Sequence, residues 1–397
     1  MTSQTGHGDP KLHSLVPSTQ TLPLHNSIPP ELVSRFDPVY VEYYNKYNAG
    51  RLHTHEVPIQ DYRKDPSRYT ISYGRALGPD IFSITEQRCP VDGGEITIRI
   101  FEPAPKFQTE TGLPKKRAAY LNFHGGGWVF GGLQFDHEFC KRVVDGLEGE
   151  CVVFDVDYRL APENPFPIPV EDCWAAFTWI REQKTEEFNL DPDCFAVGGA
   201  SAGGHLAAVI AHLCRDAGIP LKLQILTVPV CDMHNTFTAE GHFDREHCPY
   251  ESYREMEFAP ALPAARMAYF HRMFLGVPRP MASRDDWKIS PMLAANFEDL
   301  APALVSTAEL DPLRDEGEAY AAKLQTAGNP VELYRYNGAP HLIASLDGIM
   351  EGVTGVTKIT NNKPPNDEGT AYYWGNADTG KFRHRKSDEF LFSVSRF

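Results

Sequence analysis

Positive charge is scarce in this chain. Lys and Arg number 38 against 53 Asp and Glu, a formal net charge of −15, which disfavours nucleic acid or an anionic membrane surface as partner, since a protein for those carries a basic face. Long apolar runs are missing as well: nowhere do about 18 apolar residues follow one another, so no membrane span is expected. No Asn-X-Ser/Thr acceptor occurs, and residues 1–30, rich in Ser, Thr, His, Pro and Gly, lack the apolar centre of a secretory leader, so a cytoplasmic protein is expected. The eight cysteines stand singly, without Cys-X-X-Cys or metal-ligand spacing. That pattern predicts free, buried thiols in a reducing compartment and no metal site.

What the chain does have is bulk. With 397 residues, 42% hydrophobic and 11% aromatic, it suits one large α/β body with insertions. Residues 1–80 read as an N-terminal extension: loose to about 27, then a single aromatic amphipathic helix from Pro30 to Asn48, then a Pro-rich connector. A first part of the body, 81–230, opens on two alternating segments, Ser83 to Val91 and Glu95 to Phe101, around Asp92-Gly93-Gly94, a hairpin signal. Short apolar strands then alternate with helical stretches at 137–147 and 170–183, which predicts a mostly parallel sheet covered on both faces. Residues 231–300 form an aromatic-rich excursion placed where a cap over a site would arise. The body returns at 301–347, and 348–397 reads as an extra loop to 381, lying by the site mouth through Tyr372, Tyr373 and Trp374, followed by a closing helix over 382–396.

The chain turns around Asp193 to Ala211, which reads as a buried strand, a glycine-pinched reversal and an apolar helix. Ser201 sits at the reversal, flanked by Gly199, Ala200, Ala202, Gly203 and Gly204. Small neighbours are what a strained serine on a tight strand-to-helix turn requires. A serine hydroxyl is a poor nucleophile at neutral pH and needs a base, oriented in turn by a carboxylate. Asp311 follows the strand ending at Thr307, and His341 follows the last predicted strand. Asp315 and Glu316 compete for the acid's role but read as the acidic start of a helix. His205 reads as a packing residue behind the turn, whereas His242, His247 and His271 in the excursion are candidates to touch substrate.

Carbonyl attack also needs donors for the developing oxyanion. His124-Gly125-Gly126-Gly127-Trp128 supplies them: the amides of Gly126 and Gly127, with that of Ala202, complete an oxyanion hole, and His124 and Gly125 brace the loop.

Taken together, His-Gly-Gly-Gly-Trp (124–128), Tyr-Arg-Leu-Ala-Pro-Glu-Asn-Pro-Phe-Pro (158–167), Gly-Ala-Ser-Ala-Gly-Gly (199–204), Asp-Pro-Leu-Arg-Asp-Glu-Gly (311–317) and His341 resemble the hormone-sensitive-lipase family of α/β-hydrolase esterases over about 83–345. The resemblance implies an α/β-hydrolase fold with an eight-stranded, mostly parallel sheet and a cap from the N-terminal region plus the excursion. It implies cofactor-free hydrolysis of a small or medium-sized hydrophobic ester through an acyl-enzyme, with Ser201, Asp311 and His341 as the triad. Ala200 and Ile343 depart from the family's usual residues, Ile343 altering one wall near the site. Acyl transfer or lactone formation differs only in the acceptor. A non-catalytic small-molecule receptor of the same fold would lack the catalytic histidine, which His341 supplies here.

Overall fold

A computed structural model describes residues 24–66, 69, 77–106, 112, 114–276, 284–346 and 350. The expected extra loop at 348–381 and closing helix at 382–396 lie outside the described residues, apart from Met350, as does most of the loose segment before residue 27.

The single helix expected over Pro30 to Asn48 is two. Helix α1 (Pro30–Val33) stops short, and α2 (Pro38–Tyr47) starts afresh. The cause is Pro38, whose ring pushes the residue before it out of the helical region; Asp37 accordingly takes φ −54° and ψ 129°. Its carboxylate then accepts from the Val39 N–H at 2.8 Å, which caps the new helix. A short helix, α3 (Ile59–Lys64), follows.

Strands β1 (Ser83–Val91) and β2 (Gly94–Glu102) pair in the register Val91 to Gly94 through Ser83 to Glu102. A two-residue turn closes this hairpin, with Gly93 at φ +74°. Then come β3 (Arg117–Phe123), α4 (His137–Gly146), β4 (Cys151–Asp157), α5 (Ile168–Trp179), β5 (Leu190–Ala200), α6 (Ala202–Asp216) and β6 (Leu223–Thr227). After an excursion bearing α7 (Glu251–Glu255) and α8 (Ala264–Leu275), the body resumes with β7 (Ala303–Leu310), α9 (Arg314–Thr326) and β8 (Val331–Pro340).

The eight strands form one sheet in the order β1-β2-β4-β3-β5-β6-β7-β8. Only β2 runs against its neighbours; from β4 to β8 every pairing is parallel. Parallel strands are covered on both faces, and β3 is buried at every position. Leu121 and Phe123 point to one face, where Phe177 of α5 and Leu206 of α6 pack, while Tyr120 points to the other with Val143 of α4.

The N-terminal helices cover the carboxyl end of the sheet. Phe36, Tyr40 and Tyr44 share a cluster with Leu310, Ala339 and, from the excursion, Met256 and Ala259. The Tyr44 hydroxyl lies 3.2 Å from the Pro260 carbonyl oxygen, and the Asp37 N–H donates to that of Gly338 at 2.9 Å. All eight cysteines are free and buried. Among the described residues no helix is long and apolar enough to cross a membrane.

Candidate active site

Strand β5 reverses into α6 at Ser201, which sits at φ 58° and ψ −117°, a conformation that side chains seldom adopt without surrounding constraint. Two glycines supply that constraint by letting backbones close in. A Cβ at Gly199 would stand 2.2 Å from the Phe123 carbonyl oxygen, and one at Gly203 1.8 Å from the same atom. The Ser201 N–H donates to the Thr227 carbonyl at 2.8 Å, fixing the turn against β6.

The three residues expected to act together meet, though Ser201 and His341 are 140 positions apart in sequence. His341 Nε2 is 2.9 Å from the Ser201 Oγ, and His341 Nδ1 is 2.8 Å from an Asp311 carboxylate oxygen. Asp311 is fully buried, and its other oxygen accepts from the Leu313 N–H at 3.0 Å. The tautomer that satisfies both contacts carries its proton on Nδ1.

Gly126 and Gly127 adopt φ +111° and +63°, so the chain bends back after β3, and among the described residues neither N–H donates to a backbone acceptor. Ala202 opens α6, and the first N–H of a helix has no acceptor within it. Gly126 and Gly127 border a cleft lined also by Gly125, Ala200, Ser201 and His341 and, from the excursion, by Leu262, Arg266 and Phe270.

The two competing carboxylates stand elsewhere and tie α9 to the excursion. Asp315 accepts from the Ser252 N–H at 2.7 Å. Glu316, fully buried, accepts from the Cys231 N–H at 2.6 Å and the Tyr253 hydroxyl at 3.1 Å. Burial pushes its pKa well above the usual carboxylate range.

His124 lies behind the turn. Its ring stacks on Tyr158, 4.2 Å between centroids, and Tyr158 donates to the His124 carbonyl at 2.8 Å. Burial lowers its pKa, and the neutral ring's Nδ1–H donates to the Gly125 carbonyl at 2.7 Å. His205 accepts from the Trp128 indole at 3.2 Å and, on its other nitrogen, donates to the Lys288 carbonyl at 3.0 Å. Burial pushes its pKa down to about 4. Of the histidines offered as substrate contacts, His242 and His247 are exposed, and none of the three lines the cleft. His271 is buried, its ring 4.3 Å from that of Phe237. Ile343, expected to alter a wall of the site, is instead buried in the apolar cluster with Leu310 and Tyr336; Leu342 and Ser345 line the cleft there.

The sequence pointed to the excursion as the cover of a site, but not to Leu262 and Arg266 as the residues that line it. Arg266 and Phe270 stand four residues apart on α8, on one face of that helix, and Leu262 lies just before its start. The physical task of the 158–167 motif also emerges only in the fold. Besides Tyr158 beneath His124, Arg159 pairs with buried Asp172 at 2.7 Å, and the Ala161 N–H donates to the Trp128 carbonyl at 2.9 Å. The Tyr158 and Ala161 contacts hold the Gly-rich turn from behind, and the Arg159–Asp172 pair ties the motif to α5.

Residues 120–345 match the sequence profile of a family described as having the alpha/beta hydrolase fold. The chain is an α/β hydrolase. Within that fold it belongs to the hormone-sensitive-lipase family. An α/β-hydrolase superfamily protein of Schizosaccharomyces pombe is 34% identical over 84% of this chain and 94% of its own. An arylesterase of Saccharolobus solfataricus is 33% identical over 64% and 75%. Among solved structures, EstE1, a thermophilic carboxylesterase cloned from a metagenomic library, shares 34% identity and a TM-score of 0.61, covering 75% of this chain and 92% of its own.

Proposed function

We propose that this α/β hydrolase is a serine carboxylic ester hydrolase acting through an acyl-enzyme on a small or medium-sized, hydrophobic ester. The observation that carries the reading is the unbroken contact path Asp311–His341–Ser201, 2.8 and 2.9 Å, on the floor of an open cleft. It is supported by relatives named carboxylesterase and arylesterase at 33–35% identity.

In this reading His341 Nε2 takes the Ser201 proton as Oγ attacks the ester carbonyl, and Asp311 stabilises the imidazolium and keeps its orientation. The N–H groups of Gly126, Gly127 and Ala202 receive the oxyanion; loss of one such donor costs roughly 2.7–4 kcal/mol of transition-state stabilisation. His341 then gives its proton to the departing alcohol. Water, activated by the same nitrogen, attacks the acyl-enzyme and regenerates Ser201. The N-terminal helices and the excursion 231–300 act as the cap that shapes the cleft.

An organophosphate tests the nucleophile. One covalent mass on Ser201, with Ser201→Ala inert toward p-nitrophenyl butyrate, is the expected result; labelling elsewhere overturns the assignment.

A further inference from the structure

Arg266 lines the same cleft as the serine, and among the described residues its charge has no ion-pair partner. The residue is only 8% exposed. Among the described residues its single hydrogen bond is from Nη1 to the Ala261 carbonyl at 2.9 Å. Nε is buried without an acceptor, and Nη2 has none either. Those two nitrogens share one edge of the guanidinium, the edge whose parallel N–H bonds match the two oxygens of a carboxylate.

The surroundings do not neutralise it. Burial and the nearby Arg266 charge push His53 and His55 down to about 3 and about 4, so both rings are neutral. The carboxylate on that side, Glu56, is already engaged by His25, Asn26 and the His53 N–H. The remaining support is a ring: the guanidinium lies over Phe270, 5.5 Å from its centroid. Phe270 in turn closes on Gly127, where a Cβ would fall 2.3 Å from the ring. One aromatic ring therefore separates the unpaired cation from the turn assigned to the oxyanion. A buried charge is costly unless something pairs with it, and the residue that carries this one lines the cleft.

We propose that Arg266 receives a carboxylate carried by the ester substrate, away from the scissile bond, and so selects acidic esters. The proposal rests on the esterase reading above and specifies its substrate class. The carboxylate can stand on either side of the ester, as in a monoester of a dicarboxylic acid or an ester of a hydroxy acid.

Two matched pairs distinguish these. On the acyl side, mono-p-nitrophenyl glutarate is compared with p-nitrophenyl pentanoate; on the alcohol side, 4-butyryloxybenzoate with phenyl butyrate. Arg266→Gln in the full-length protein should lower kcat/KM for the acidic member of one pair at least tenfold, chiefly through KM, and for its neutral partner less than threefold. Arg266→Lys should restore part of the loss, and added salt should weaken the wild-type preference. The pair that responds tells which side carries the carboxylate. An acidic-to-neutral ratio unchanged by Arg266→Gln in both pairs overturns the proposal. Should that variant not fold, inhibition of wild-type pentanoate hydrolysis by glutarate and 4-hydroxybenzoate, each against its uncharged analogue (1,5-pentanediol and phenol), decides the same question: tighter inhibition by one of the acids is expected, and no preference for either acid overturns the proposal. Failure of the esterase reading is separately visible, as turnover of the neutral esters that survives Ser201→Ala.

Discussion

Ser201 shows what one residue costs and what surrounds it to hold that cost. Its φ of 58° is a conformation worth of order 1–3 kcal/mol of strain, kept in place by the bond to Thr227 and the pinch of two glycines on Phe123. Charge at the site is distributed as sharply. Asp311→Asn keeps the shape but offers His341 the wrong hydrogen-bond partner, so kcat should fall by about 10⁴. Asp315→Asn, on a carboxylate that serves Ser252, should change kcat far less; steady-state kinetics on p-nitrophenyl butyrate compares them, and the reverse ranking would move the acid to Asp315. His205 permits a stability test. An unfolded histidine titrates near 6.5, whereas burial holds this one at about 4. Between those values the unfolded chain binds a proton that the folded protein refuses, so stability contributed by His205 is full above pH 6.5 and lost as pH falls toward 4, by about 1.4 kcal/mol per pH unit. His205→Gln lacks this slope. Urea midpoints at pH 7, 5.5 and 4.5 should therefore show the gap between wild type and variant narrowing on acidification, and a constant gap would refute the buried-neutral assignment.

At the level of elements, the close approach of β3, β5 and α6 is what makes the reversal possible. Gly203→Ala would place a methyl 1.8 Å from the Phe123 carbonyl oxygen, which is backbone and cannot rotate away. The strand end or the helix must move, at about 1–3 kcal/mol for overpacking, and Ser201 moves with it. A lower urea midpoint together with a disproportionate loss of kcat is expected; full activity in a folded variant would show that the packing is looser than described. Much of this was legible in sequence. Alternating runs around Asp92-Gly93 fixed the hairpin, apolar runs fixed the parallel strands, and glycine spacing marked both turns, because each signal is local. Four things were not. Pro38 outranked the helical periodicity on either side of it, Ile343 turned into an apolar cluster, and Arg266 reached the cleft only because tertiary packing aimed one face of α8 there. Glu316 read as an ordinary helix-start acid, yet its value is a bond to Cys231, 85 positions away, and nothing local announces such a partner.

For the molecule as a whole, burial decides cysteine chemistry. Burial pushes Cys89, Cys194 and Cys214 up to about 12, and only the thiolate reacts. A colorimetric disulfide reagent should find almost no reactive thiol in the native protein within minutes and all eight in denaturant; rapid native labelling would contradict the burial. The order of the sheet carries a different consequence. His341 hangs from β8, which pairs on one side only, with β7, and ends the described sheet, while Ser201 rises from the interior strand β5. An outermost strand can detach in a local opening that leaves the rest of the hydrogen-bonded body intact, and such openings lie at lower free energy than global unfolding. Activity thus reports on this edge of the sheet: on heating, turnover should disappear several degrees before the far-UV signal, and amide exchange at Val331–Pro340 should outpace that at Leu190–Ala200. Cooling from that point should restore turnover, because only an edge has opened and the body has not melted.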